Sequence, residues 1–130
     1  MIAKRLLCPE RVRCIPRRFS WIDHRLVRDG HIERCSAGAL ALYLLLVTVG
    51  DSQGLSYYSD AKISRLISID QAGVRNGRGE LIEAGLIAYR HPLYQVLGLD
   101  RPVSMASERQ RGNRCMSIGD ILRAAAGGEA

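Results

Sequence analysis

Apolar residues in this chain change their spacing several times between Ser36 and Leu99, and each change marks an element. Ala39, Leu40, Leu42, Tyr43, Leu46, Val47 and Val49 fall on nearly every side of a helical wheel, the pattern of a helix buried over most of its surface. Ser36 ahead of it is a good N-cap, because its hydroxyl accepts from an orphan amide of the first turn, and Gly50 ends the helix. Gly54-Leu55-Ser56-Tyr57-Tyr58 is short and β-prone and predicts a small strand. Ile63, Leu66 and Ile67 then recur at helical spacing behind Ser59 or Asp60 as cap and are the expected buried face of that helix. Ser68-Ile69-Asp70 predicts a turn. Asp70 caps a second helix, its charge suits the positive helix end, and Val74, Leu81 and Ala84 form the inward stripe. Gly85 stops that helix, as left-handed residues commonly do. Leu86 to Tyr89 and Leu93 to Leu97 predict two strands around Arg90-His91-Pro92.

Periodicity weakens on either side of this block. Residues 1–18 carry Pro9 and Pro16 without a clean period and predict a basic flexible arm. Phe19 to Val27 holds the only Phe and the only Trp, and is expected to pack on the domain as an extended piece with a helical turn after Asp23, ended by Asp29-Gly30. Arg101 to Arg114 reads as loop. Ser117-Ile118-Gly119-Asp120 resembles a capping box, and Ile121 to Ala126 predicts a short amphipathic C-terminal helix. The expected division is an arm over 1–18, a folded domain over 19–100, and a linker with a short helix over 101–130.

Composition narrows what such a chain can do. Its 130 residues suit one domain with tails, and 47% hydrophobic residues suffice for a core that, at 5% aromatics, is mostly aliphatic. The apolar run from Ala39 to Val49 falls well short of the ~20 residues a membrane span needs. The start of the chain shows no secretory pattern, so a cytoplasmic location with no membrane partner is the expectation. Net charge is +6 and unevenly placed. Residues 1–35 hold nine Lys/Arg against four Asp/Glu, residues 36–100 five against six, and residues 101–130 five against three. Basic tails around a neutral domain suit neutralisation of nucleic-acid phosphates, although such charge also serves solubility alone. Cys8, Cys14, Cys35 and Cys115 lack zinc-site spacing, and His24, His31 and His91 do not complete one. Cys8 and Cys14 are near enough to meet across a loop, but free thiols are the expectation without an export signal. No metal and no cofactor are expected.

The order helix, strand, helix, turn, helix, strand, strand resembles the winged helix-turn-helix family of DNA-binding domains. The resemblance spans Ser36 to Leu99 and is sharpest at Glu80-Leu81-Ile82-Glu83-Ala84-Gly85-Leu86-Ile87, which is similar to the family's passage from recognition helix to wing in bacterial regulators and mobile-element replication initiators. It implies an α+β, mainly helical fold, a three-helix core with a small β-hairpin wing. It also implies that the second helix of the pair enters a DNA major groove. Two features depart from the family pattern. Gly73, Gly77 and Gly79 lie inside that second helix, each costing about 0.5–1 kcal/mol relative to Ala, and open its surface to close approach by DNA or by another helix. Arg78 stands where the family places an apolar residue and is expected to snorkel outward along its aliphatic stem.

The candidate site residues follow. Gln71, Arg75, Asn76 and Arg78 are expected on the outward face, where Arg reads guanine and Asn or Gln reads adenine. Lys62, Arg90 and His91 are candidate phosphate contacts, as are Arg17 and Arg18 on the arm beside Arg11 and Arg13. No nucleophile motif accompanies Asp23-His24 or His31 and Glu33, and Gly73 to Gly79 lacks the lysine of a phosphate loop, so an enzyme is not expected. The reading is non-catalytic binding of double-stranded DNA, in transcriptional regulation or mobile-element replication and maintenance. A homodimer is plausible on palindromic sites, with Ile118, Ile121 and Leu122 as one dimer element. The alternative is a winged-helix protein-interaction adaptor, to which a neutral domain with a glycine-rich helix is also suited.

Overall fold

A computed structural model describes residues 2–100. The Cys115 thiol, the short C-terminal helix and the Ile118, Ile121, Leu122 stripe all lie outside the described residues. After a 3-10 turn at Pro9–Arg11 come α1 (Arg25–Arg28), a second 3-10 turn (Ile32–Arg34), α2 (Ala37–Val49), β1 (Leu55–Tyr57), α3 (Asp60–Ile67), α4 (Gln71–Glu83), β2 (Ile87–Arg90) and β3 (Leu93–Val96). The three strands form an antiparallel sheet in the order β1-β3-β2, with Ser56 opposite Tyr94 and Ile87 opposite Val96. The fold is α+β, a three-helix core edged by a β-hairpin, and is winged-helix-like.

Each of the three core helices begins on its expected cap. The Ser36 hydroxyl accepts from the Ala39 amide, Ser59 from Lys62, and Asp70 from Gly73. Gly85 adopts φ 75° after α4. Its amide bonds the Ile82 carbonyl and the Leu86 amide reaches back to Leu81, so two orphan carbonyls are satisfied by one left-handed residue. Between α3 and α4 the left-handed position falls on Ser68, at φ 58°. The turn is held by the Ser64 hydroxyl on the Ile69 carbonyl and by the Ile69 amide on the Ser64 carbonyl.

The core gathers Ala39, Leu42 and Leu46 of α2, Ile63 of α3, Val74 and Leu81 of α4, and Leu86, Ile87 and Tyr94 from the hairpin. Two expectations are corrected. Leu66 is exposed, because α3 turns a single row, led by Ile63, toward α2 and α4. Trp21 is 54% exposed and Ile22 is similarly open; Leu26 of α1, three residues after Asp23, is the residue that enters the core instead. The segment still touches the domain, since the Ser20 hydroxyl reaches the Thr48 carbonyl at the end of α2. Arg25 grips both ends of the domain, bonding Asp23 at 2.7 Å and Asp100 at 2.7 Å.

Two of the three α4 glycines have a packing explanation. A Cβ on Gly77 would sit 3.2 Å from the Ala39 Cα, so α2 and α4 touch backbone to backbone there. A Cβ on Gly73 would fall 2.3 Å from the Ile69 Cγ2, inside the turn that joins the helix pair. A Cβ on Gly79 would meet open space, and nothing in the structure explains that glycine.

Candidate nucleic-acid interface

The N-terminal half of α4 is built to present side chains. Val74, Gly77 and Leu81 turn inward and anchor the helix on α2 and α3. Gln71, Arg75 and Asn76 are exposed as a consequence, and among the described residues no hydrogen bond or ion pair engages their side chains. Three groups of the types that read base edges therefore stand free on a helix whose backbone is fixed at both ends.

Arg78 does not join them, which corrects its expected outward position. It follows Val74 by one helical turn and precedes Leu81 by three residues, so it lies on the flank of the buried stripe, where α3 and the hairpin close over the helix. Its side chain is 13% exposed. Its Nη1 donates to Asp60 Oδ1 at 2.8 Å and to the Tyr94 hydroxyl at 2.8 Å, and the guanidinium carbon lies 4.4 Å from the centre of the Tyr89 ring. Burial works against its charge, but the bonds to Asp60 and Tyr94 outweigh it and raise the pKa further. Burial also raises the Tyr94 phenol pKa, with Arg78 opposing, so the pair is a cation on a neutral hydroxyl. This one side chain ties α3, α4 and both wing strands together.

Glu80 was not singled out by its sequence. Its carboxylate accepts from the Ser36 amide at 2.8 Å and from the Ser36 hydroxyl at 2.7 Å, locking the start of α2 to α4. Those two bonds hold the Glu80 pKa below the ordinary carboxylate range. A capping serine facing a carboxylate 44 residues away leaves no local pattern to read.

The remaining candidates are all exposed but are not gathered into one cluster. Lys62 on α3 holds its ammonium 5.5 Å from the centre of the Tyr58 ring. At the wing tip the Tyr89 hydroxyl and His91 Nδ1 share a hydrogen bond of 3.1 Å, while Arg90 is exposed beside them. Lys62 and His91 face one groove of about 830 Å³ between α3 and the wing. Arg17 and Arg18 are exposed in the segment before α1, with no hydrogen bond to the domain among the described residues. Cys8, Cys14 and Cys35 are free thiols. Among the described residues no group of His, Cys, Asp and Glu side chains is placed to hold a metal ion, and no helix is long and apolar enough to cross a membrane.

No family model matches the sequence, and no curated protein matches it. A solved structure described as "Structure of Rep-DNA complex" aligns with 77% of this chain and 90% of that chain, at 13% identity and a TM-score of 0.43. At that score the likeness leaves fold and function to be argued from the residues themselves.

Proposed function

We propose that this protein binds double-stranded DNA without catalysing a reaction on it, as a regulator of transcription or in the replication and maintenance of a mobile element. The observation that carries the reading is the free face of Gln71, Arg75 and Asn76 on a helix held by a capped helix-turn-helix and braced against a short hairpin. In this reading Arg75 and its neighbours meet base edges, which specify sequence. Lys62, Arg90, His91 and the arm residues Arg17 and Arg18 meet phosphates, which fix position. The adaptor alternative drew on a glycine surface open to a partner helix. Gly77 already receives α2, and Gly73 already receives Ile69, so that argument keeps only Gly79.

The test is fluorescence anisotropy of the full chain on a pool of random duplexes across a salt series, followed by selection of a preferred site. Arg75→Ala is expected to lose about 1–3 kcal/mol of discrimination at one base pair. Replacing Arg17 and Arg18 together by Ala is expected to weaken all duplexes alike and to reduce the salt slope by about 0.9 for each phosphate contact removed. Binding that depends on the arm and is indifferent to Arg75 overturns base readout by α4.

A further inference from the structure

We infer that the groove between α3 and the wing tip holds an unpaired nucleotide, so that a duplex with an adjoining single strand is bound more tightly than a continuous one. The inference rests on the DNA-binding reading above and specifies what the groove shared by Lys62 and His91 holds besides the phosphates it meets.

Several observations meet in this groove. Its volume, about 830 Å³, lies in the range of small-ligand sites. Tyr57 lines it and is 72% exposed at the end of the edge strand β1. Directly across the ladder, Leu93 is 42% exposed and lines it as well. A tyrosine and a leucine paired on the open side of a sheet add little to the core but make an apolar shelf of the kind on which a base stacks. Tyr58, just ahead of α3, and Lys62 on α3 form one wall, with the ammonium 5.5 Å from the centre of the Tyr58 ring and free of any carboxylate partner among the described residues. His91 and Pro92 form the wing wall. Ser56, between Leu55 and Tyr57 on β1, pairs with the buried Tyr94 and turns its side chain to the core, so the shelf is Tyr57 and Leu93 alone. The carboxylate on the rim, Asp51, is engaged by the Gln53 and Leu55 amides.

An aromatic and aliphatic shelf with a cation beside it matches the base and phosphate of a nucleotide. A base within a continuous duplex is stacked on both faces and offers no face to Tyr57; an unpaired base does. A role confined to tracking phosphates accounts for Lys62 and His91 and leaves the open Tyr57–Leu93 pair unexplained.

The experiment compares full-length protein on a fluorescent blunt duplex and on the same duplex carrying a three-nucleotide overhang, at one salt concentration. The overhang is expected to tighten binding about 5- to 150-fold, the range for one base stacked on an aromatic side chain. Tyr57→Ala is expected to abolish that preference while leaving the blunt-duplex Kd unchanged; Tyr57→Phe, which keeps the ring, is expected to retain it. Equal affinity for the two DNAs, or a Tyr57→Ala loss that is the same on both, overturns the inference. If the blunt duplex is bound and no overhang preference appears, the inference alone fails. If neither DNA is bound, the DNA-binding reading fails with it.

Discussion

Replacing one α4 glycine by alanine is expected to stabilise the protein and replacing another to destabilise it, although the two stand two residues apart. On intrinsic propensity both substitutions help, since alanine gains about 0.5–1 kcal/mol over glycine inside a helix. At Gly79 the new methyl meets nothing within 4 Å, so the full gain is expected. At Gly77 the methyl would sit 3.2 Å from the Ala39 Cα and 3.4 Å from its amide nitrogen. Those are backbone atoms of a helix whose neighbouring turns carry Leu42 and Leu46 into the same core, so α2 and α4 must separate by a few tenths of an ångström. Overpacking of this kind typically costs about 1–3 kcal/mol, so against the propensity gain the expected net loss runs up to about 2.5 kcal/mol. Urea denaturation followed by far-UV circular dichroism, with the slope checked for constancy, gives both values directly. The Gly79→Ala midpoint is expected to rise and the Gly77→Ala midpoint to fall below it. A Gly77→Ala protein at least as stable as Gly79→Ala refutes the backbone contact between α2 and α4.

Two other changes probe the contacts that brace the interface. Arg78→Met removes the cation shared by Asp60 and Tyr94 and leaves a mostly buried carboxylate and a buried phenol without their partner, a loss of about 2–4 kcal/mol read by thermal unfolding. The same variant, assayed where it remains folded, should bind duplex DNA as the parent does, because Arg78 faces inward; a selective loss of affinity refutes that placement. Glu80→Gln is expected to flatten the acid limb of the stability profile. The folded-state pKa of Glu80 lies below its ordinary value of 4.5, so its contribution is present above that pH and is lost as pH falls through the folded value. Identical acid profiles for parent and variant refute the Ser36–Glu80 lock.

The elements were legible wherever a local rule decides them. Ser36, Ser59, Asp70 and Gly85 are governed by a few neighbouring backbone groups, and all four stand where capping chemistry puts them. The inward stripe of α4 followed from periodicity for the same reason. What escaped was set by packing between elements distant in sequence. Arg78 looks polar and outward until α3 and the hairpin are laid over it; the hints were its position one turn from Val74 and its standing where the winged-helix pattern has an apolar residue. Gly77 is distinguished from Gly79 only by the approach of α2. In the Phe19–Val27 segment, expected to pack on the domain, Trp21 stays half exposed and Leu26, aimed by a short helical turn, enters the core. Within the candidate site, the residue types on α4 were readable, whereas the groove that Lys62 and His91 share depends on the antiparallel pairing of β1 with β3.

The grip of Arg25 on Asp23 and Asp100 has an electrostatic consequence. As exposed ion pairs these contacts add little stability, but they root the two flanking segments of the chain at the same spot. The excess cations of residues 1–35 therefore border, near the point where residues 23 and 100 meet, a domain over 36–100 that is itself nearly neutral. That uneven charge gives the described residues a positive pole and hence a preferred heading toward a polyanion.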